Sequence, residues 1–298
     1  MNFLFIQEAG RHDANKHFRE SLCLKNSINR IEGNYAEVWG LNYPKFEEFD
    51  ELEKWADVIF LLENYNSKWV PFDKIIKSKK IKVFWSIDSH MPAEGINGVS
   101  VLQAHVELCD KLRPDIHLNS TEYYVPYFNK NSRFSYWFPN AYPSDLISPL
   151  NIEKKYNIGF CGSILHDRAY FLNNVLDEFN PKIDNFVIGN KMVEAINSYK
   201  IHFNRNLLND INYRTFETLG CKTFLLTNYT PGLEKLFNIG KDLVTYDDAN
   251  DLKDKVKYYI NNDREREQIE EQGYLTALKK HTYDARCRYL MRILSGTL

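Results

Sequence analysis

The sequence predicts an α/β protein made of two doubly wound domains. Short apolar segments alternate with longer amphipathic segments along the whole chain, which is the pattern of βα units that form parallel sheets. The length of 298 residues exceeds the usual size of a single hydrophobic core and favours two domains. Prolines at 139, 143 and 149 indicate a linker within residues 134–155, because proline restricts its own backbone and that of the preceding residue.

Five strands are predicted in each half of the chain. They lie at residues 3–6, 36–40, 57–62, 81–86 and 115–120 in the first half and at 156–163, 185–189, 200–204, 222–228 and 242–247 in the second. Apolar residues dominate these segments, and helical patterns separate them. After residue 250 the pattern is helical, and we interpret its charged runs as solvated helix faces.

The composition is typical of a globular protein and disfavours several functions. A net charge of -2 gives no global reason to expect nucleic acid or an anionic membrane as the partner. The five cysteines are scattered without a CxxC pair, so neither a disulfide framework nor a zinc site is predicted. Because no apolar run of about 18 residues and no basic leader occur, we expect a cytoplasmic protein without a membrane span.

Polar residues follow the predicted strands of the first half, where open parallel sheets bind ligands. Asp88 and His90 follow a strongly apolar strand, and either side chain could accept a proton from a nucleophile. A turn cap at Asp88 and a hydrogen-bond donor at His90 fit the pattern equally well. Gly10, Arg11 and His12 follow the first strand and form a second candidate cluster, for which a plain surface loop is an equal alternative.

The segment "GFCGSILHDR", residues 159–168, combines a strand, a turn and the start of a helix. Gly162 and Ser163 form the turn, and Arg168 could present its guanidinium to a phosphate. A plain turn with a surface arginine is the alternative. Neither GxGxxG nor GxxxxGK[ST] occurs, so neither a dinucleotide fingerprint nor a Walker A loop is predicted.

The segment "INYRTFETLGCKTFLLTN", residues 211–228, predicts a short helix before a buried strand. Asp210 or Asn212 would cap the helix, and Gly220 would lie just beyond its end. Arg214 and Glu217 then lie one turn apart on one face. The arginine and the helix N-terminus suit a diphosphate, and the carboxylate suits the two hydroxyls of a ribose. A purely structural Arg–Glu pair is the alternative.

Separated motifs in the second half carry a resemblance to a known family. Residues 156–292, with "SYKIHFNRN", "DINYRTFETLGCKTFLLTN" and "HTYDAR" in this order, resemble the spore-maturation-protein-like (CgeB-like) group 1 glycosyltransferases. The resemblance implies GT-B architecture, in which two Rossmann-like domains face each other across a cleft. It implies an acceptor-binding domain at 1–150, a nucleotide-sugar-binding domain at 151–275, and a C-terminal helix at 276–298 that packs back on the first domain.

The resemblance also implies an activity. The chain is expected to be a metal-independent glycosyltransferase that uses a UDP-, GDP- or dTDP-linked sugar and no other cofactor. The acceptor could be a polysaccharide, a protein, a lipid-linked sugar or a modified nucleic acid base, and both retention and inversion are compatible with the pattern. A non-catalytic nucleotide- or sugar-binding protein is the main alternative. An oxidoreductase is disfavoured because the glycine fingerprint is missing.

Site residues follow from the resemblance position by position. Glu217 matches the carboxylate that binds the nucleotide ribose, and Arg168 resembles the basic residue near the diphosphate. Arg205 and Arg214 are further candidates for the diphosphate. Related retaining enzymes carry a second Glu eight residues before the first, and this chain has Asn209 at that position. The nucleotide end of the donor site is therefore better supported than the sugar end.

Overall fold

The computed structural model describes residues 1–10, 12–63, 67–91, 100–165 and 167–297. The chain divides into two compact units, of which the first comprises Met1–Pro139 with Arg286–Leu298 and the second Asn140–Ala285. Each unit is built on one parallel sheet with helices between its strands, which confirms the predicted α/β class. The acceptor-binding and donor-binding roles of the units remain predictions.

The first unit contains a sheet with the strand order β2-β1-β3-β4-β5-β6. The strands are β1 (Asn2–Ile6), β2 (Tyr35–Trp39), β3 (Val58–Leu62), β4 (Ile81–Ser86), β5 (Ile116–Asn119) and β6 (Phe134–Trp137), and the helices are α1 (Glu20–Ile28), α2 (Phe49–Trp55), α3 (Phe72–Lys77) and α4 (Val101–Leu112). Short 3-10 helices lie at Asp13–Phe18, Phe46–Glu48 and Glu122–Phe128. Every residue of β3 is buried, as expected for a parallel strand covered on both faces.

Strand β6 corrects the predicted linker. Residues 134–137 were placed in the linker, but they pair in parallel with β5, Ile116 lying opposite Phe134. All four residues of β6 are only partly buried, because the strand forms an edge of the sheet. The prolines at 139 and 143 lie after β6. The proline pattern therefore marked the part of the segment that follows the strand, and it missed the strand itself.

The second unit contains a sheet with the order β11-β10-β9-β7-β8. The strands are β7 (Tyr156–Gly162), β8 (Lys182–Asn185), β9 (Tyr199–Phe203), β10 (Phe224–Asn228) and β11 (Val244–Tyr246), and the helices are α5 (Arg168–Tyr170), α6 (Asn190–Asn197), α7 (Tyr213–Gly220), α8 (Leu233–Leu236), α9 (Ala249–Asn261) and α10 (Asp263–Lys280). A π-helical turn follows α5 at Phe171–Val175, and a 3-10 turn lies at Asp177–Phe179. Aromatic side chains such as Phe203 and Tyr246 fill the core beside the sheet.

Strand β8 lies earlier than predicted. The sequence pattern placed a strand at residues 185–189, and the structure ends β8 at Asn185. Phe186 has a φ of 56°, in the left-handed region, where an extended strand cannot continue. The apolar run that suggested a strand is therefore the loop that leads into α6.

Helix α7 confirms the predicted short helix and corrects one of its ends. Asn212 occupies the N-cap position, and the helix runs from Tyr213 to Gly220. Gly220 was predicted to lie beyond the helix, but it is the last helical residue. A Cβ atom there would approach the ring of Tyr142 to 2.5 Å, so close packing accounts for the glycine.

The final helix, α11 (Tyr283–Thr297), starts in the second unit and continues in the first from Arg286 onward. Within the first unit, the ring of Tyr289 stacks on that of Phe138 with centroids 6.0 Å apart. Among the described helices, none combines the length and apolarity that crossing a bilayer requires.

Candidate functional site

The turn after β7 holds a buried arginine. Arg168 is only 8% exposed. Its Nη1 donates to the carbonyl oxygen of Ser163 at 2.8 Å, and its Nε and Nη2 donate to the carbonyl oxygen of Arg205 at 3.1 and 2.7 Å. Within the described residues no carboxylate lies within ion-pair distance of this guanidinium. Burial and the neighbouring charge of Arg214 both lower the pKa of Arg168. Such a cation is favourably compensated by an anion.

Helix α7 places a second arginine beside the first. The Nε of Arg214 donates to the carbonyl oxygen of Cys161 at 2.8 Å, which fixes the side chain against the end of β7. Its Nη1 donates to the carboxylate of Glu217 and contacts the sulfur of Met192 at 2.8 Å. Burial opposes the charge of Arg214, but Glu217 outweighs that effect and raises its pKa. Two guanidinium groups therefore lie at the carboxyl edge of the sheet, where the helix dipole is also positive.

Glu217 retains a free acceptor atom. Its Oε2 takes part in the ion pair with Arg214, and the side chain is 13% exposed. Its Oε1 accepts no hydrogen bond from the parts of the chain that the structure describes. The predicted Arg–Glu pair thus forms, and it leaves one carboxylate oxygen for a further donor such as a hydroxyl.

Arg205, like Arg214, already has a carboxylate partner, so it differs from Arg168, which has none among the described residues. Its Nε donates to Oδ2 of Asp167 at 2.7 Å, and its guanidinium lies 4.2 Å from the ring centre of Phe171. This pairing lowers the pKa of Asp167. Arg205 was a further candidate for the diphosphate, and that role stays a prediction. In the structure its backbone carbonyl accepts from Arg168, and its side chain binds Asp167.

A buried histidine docks α7 on the sheet. His202, on β9, accepts at Nε2 from the backbone N–H of Cys161 at 3.1 Å. Its Nδ1 therefore carries the ring proton and donates to Oγ1 of Thr218 at 2.5 Å, and Thr218 donates to the carbonyl oxygen of Arg214 at 2.5 Å. Burial and the nearby Arg214 lower the pKa of His202 to about 3. The ring stays neutral and fixes the turn that carries Arg214 and Glu217.

Asparagine side chains fix the loop between β9 and α7. Asn204 donates to Oδ1 of Asn206 at 3.2 Å, and the same oxygen accepts from the backbone N–H of Asn212 at 3.1 Å. Oδ1 of Asn228, at the end of β10, accepts from the backbone N–H of Asn206 at 2.7 Å. Asn212 was predicted only as a possible helix cap, and the network was not predicted from the sequence.

The first unit places Asp88 and His90 in a turn after β4. Asp88 is exposed, and His90 is half-buried. The backbone N–H groups of Ile87 and Asp88 both donate to Oε1 of Glu63. Glu63 is the residue directly after β3, and it has a left-handed φ of 61°. It was not singled out from the sequence.

A polar network supports this turn from below. Nε2 of His105 lies 3.2 Å from Oε2 of Glu63, and Nδ1 of His105 lies 3.1 Å from Oγ of Ser89. Asn119 donates to the same Oγ at 2.9 Å. Burial opposes ionisation of Glu63, but His105 and the backbone donors outweigh it and lower its pKa. The backbone that carries Asp88 is thereby fixed.

The second predicted cluster of the first unit is only partly described. Gly10 lies in the loop after β1, where a Cβ would approach the backbone of Lys16 to 3.2 Å. His12 is exposed and precedes the 3-10 turn at Asp13–Phe18 without capping it. Arg11 lies outside the described residues. Within the described ranges, no group of three or more His, Cys, Asp or Glu side chains is arranged to hold a metal ion.

The fold and the second unit's site define the class of protein. The buried Arg168, the partly buried Arg214 and the carboxylate of Glu217 lie at the carboxyl edge of one of the chain's two parallel sheets. The chain has the GT-B fold, as predicted. Residues 145–292 match a family described as glycosyl transferase-like.

One relative and several solved structures are similar to the chain. A stretch of 97 residues is 29% identical to the spore protein CgeB of Bacillus subtilis (strain 168), covering 31% of this chain and 29% of that relative, in agreement with the predicted resemblance. Anabaena HepE in complex with UDP-glucose superposes with a TM-score of 0.68 and 11% identity, covering 99% of this chain and 100% of that chain. Sucrose-phosphate synthase from Thermosynechococcus elongatus gives a TM-score of 0.68 and 9% identity, covering 99% and 98%. At such identities the structures show the fold alone.

Proposed function

We propose that the protein is a metal-independent glycosyltransferase that moves a sugar from a nucleotide-diphosphate donor to an acceptor. The observation that carries this proposal is Arg168, a buried guanidinium bonded to carbonyl oxygens and close to a second arginine. A diphosphate would compensate the charge of Arg168, which has no carboxylate partner among the described residues, and would also lie close to Arg214. The UDP and UDP-glucose in complexes of Anabaena HepE support a nucleotide of this kind, and GDP and dTDP have the same charged group.

The residues of the second unit have distinct roles in the proposed donor site. Arg168 and Arg214 bind the diphosphate, and the turn at Gly162 and Ser163 leaves room for it. A Cβ at Gly162 would lie in van der Waals contact with the guanidinium, 3.9 Å from Nε of Arg214, so this turn borders the arginine directly. Glu217 accepts from the ribose hydroxyls through its free Oε1. Arg205 positions Arg168 through its carbonyl oxygen.

In the proposed reaction an acceptor hydroxyl attacks the anomeric carbon of the sugar. The bond between this carbon and the diphosphate oxygen breaks, and the electron pair leaves with the nucleoside diphosphate. Arg168 and Arg214 stabilise the negative charge that grows on the leaving group, which is the role that a metal ion plays in other enzymes. If the reaction inverts the anomeric centre, Asp88 or His90 takes the proton of the acceptor.

Calorimetric titration with UDP, GDP and dTDP tests the donor site. At least one of them is expected to bind with equal affinity with and without EDTA. Arg168→Ala should raise Kd roughly 10- to 150-fold, because a charge-assisted hydrogen bond is lost. Arg168→Lys should recover part of the affinity through its charge but lack the planar fork. Arg264→Ala, on the exposed face of α10, is the matched control and should leave Kd unchanged.

The outcomes separate the proposal from its alternatives. Binding that disappears with EDTA would show that the site needs a metal ion. If no nucleotide binds, the proposal that these residues form a donor site is wrong. Release of UDP from UDP-sugars, with transfer to a panel of sugar, protein and lipid-linked acceptors, distinguishes the transferase from a binding protein that holds the donor without reacting.

A further inference from the structure

An exposed aromatic residue with an unfavourable backbone lies directly after β8. Phe186 is 68% exposed, and its φ of 56° is in the left-handed region. This conformation is unfavourable for a bulky residue. Burial of the ring does not offset the cost, because most of the ring is in solvent. Stability of the fold therefore does not account for a phenylalanine here.

Hydrogen bonds attach the loop of Phe186 to the proposed donor site. The backbone N–H of Phe186 donates to the carbonyl oxygen of Gly162 at 3.2 Å. Oδ1 of Asn185 accepts from the backbone N–H of Ile164 at 3.3 Å. The exits of β7 and β8 are thus joined, and Gly162 borders both Phe186 and the guanidinium of Arg214.

The order of the strands gives the site a direction. In the sheet, β7 lies between β9 and β8, and β8 is at the edge. Arg168 bonds to carbonyl oxygens in the exits of β7 and β9, and Arg214 bonds to β7 itself. Phe186 lies beyond them, at the exit of β8. Moving toward this edge, the chain therefore presents a phosphate-binding arginine, the Arg214–Glu217 pair, and then an aromatic ring.

A nucleoside diphosphate has the same order of groups, with the diphosphate at one end, the ribose in the middle and the base at the other end. We propose that Phe186 is the stacking platform for the nucleobase of the donor. This inference rests on the proposed function, which supplies the positions of the diphosphate and the ribose. Every base has a π-face, so the ring strengthens binding of UDP and GDP alike.

Titrations of Phe186 variants with UDP and with inorganic pyrophosphate test the inference. Phe186→Gly removes the ring and suits a positive φ, so the free protein should melt at the same temperature as wild type or higher. Its Kd for UDP should rise roughly 5- to 150-fold, and its Kd for pyrophosphate should stay unchanged. Phe186→Trp should keep the affinity for UDP, while Phe186→Leu, which is apolar without a π-face, should lose it.

Leu165→Ala is the matched control, because Leu165 is an exposed apolar residue, 42% exposed, in the exit of β7. It should leave both affinities unchanged. Equal UDP affinity in wild type and Phe186→Gly, with a weakened Arg168→Ala, would overturn the nucleobase platform and leave the donor site standing. A lower melting temperature with loss of both ligands would assign Phe186 to the fold instead. A wild-type protein that binds neither UDP nor pyrophosphate would overturn the inference together with the proposed function.

Discussion

Nδ1 of His202 donates to Oγ1 of Thr218 at 2.5 Å, which joins the middle of β9 to the helix that carries Arg214 and Glu217. Both residues are almost fully buried. Only the neutral ring with its proton on Nδ1 satisfies both this bond and the one from the backbone N–H of Cys161. Protonation of the ring would break the second bond.

Replacement of His202 should therefore change how stability depends on pH. The folded pKa of about 3 lies below the ordinary value of 6.5, so the unfolded chain binds more protons between these two values. The stability contributed by the neutral ring is present above pH 6.5 and is lost as the pH falls toward 3. Between pH 7 and pH 5 the loss is about 2 kcal/mol. In His202→Gln, the drop in unfolding free energy over this range should be smaller by that amount, as measured by urea denaturation.

The exposed His17 supplies the control for this measurement. His17→Gln should reproduce the wild-type drop between pH 7 and pH 5. An equal drop in His202→Gln and wild type would show that the buried imidazole does not titrate as its hydrogen bonds require.

Local patterns in the sequence predict helix α7 well because its cap and its apolar face are close in the chain. Of the two predicted caps, Asp210 and Asn212, it is Asn212 that occupies the N-cap position, although its side chain makes no capping hydrogen bond. Arg214 and Glu217 pair one turn apart, as predicted. The bond from His202 to Thr218 joins residues on different elements, so no local pattern could reveal it. The same holds for Gly220. A glycine is required there because the ring of Tyr142 packs against it, and not because the backbone makes a left-handed turn.

The arginines of the donor site should differ in their effect on nucleotide affinity. Arg205 already pairs with Asp167, so Arg205→Ala should raise Kd for UDP less than about 5-fold, against the larger effect of Arg168→Ala. Arg205→Ala should also lower the unfolding free energy by roughly 1 kcal/mol, because the contact with the ring of Phe171 is lost. Calorimetry with UDP and urea denaturation give the two quantities. Equal losses of affinity in both variants would contradict this division of roles.

Three arginines were predicted for the diphosphate from their positions after the strands and from the family resemblance. Ion pairing separates Arg168 from the other two arginines, and for Arg205 the partner is Asp167, which lies far from it in the chain. Phe186 shows the same limit, because its apolar neighbours suggested a strand and only the backbone angle excludes one. Sequence patterns thus located the carboxyl edge of the sheet, and the distinction among its residues required the tertiary contacts.

Glu63→Gln should destabilise the first unit. The carboxylate accepts from the backbone N–H groups of Ile87 and Asp88 and contacts His105, and loss of its charge should cost about 1–3 kcal/mol at pH 7. The lowered pKa of Glu63 means that its contribution is present above about pH 4.5 and is lost as the pH falls through the folded pKa. The difference between wild type and Glu63→Gln should therefore narrow from pH 7 to pH 4 in denaturation experiments.

The exposed Glu51, on α2, is the control for this comparison. Glu51→Gln should lie within about 0.5 kcal/mol of wild type at both pH values. If Glu63→Gln behaved in the same way, the turn that carries Asp88 would not depend on Glu63.

A glycine in α10 tests the packing of the second unit. A Cβ at Gly273 would lie 2.1 Å from the carbonyl oxygen of Asp242, and backbone must move to admit it. Alanine in a helix interior is otherwise favoured over glycine by about 1 kcal/mol, so a loss of stability in Gly273→Ala reports the clash alone. We expect a net loss of about 1–3 kcal/mol in the free energy of unfolding, measured by urea denaturation.

Gly296→Ala, in α11, is the matched control, because nothing lies within 4 Å of its Cβ position. The control should be as stable as wild type or slightly more stable, and a Gly273→Ala protein with that behaviour would contradict the close approach of α10 to the loop before β11.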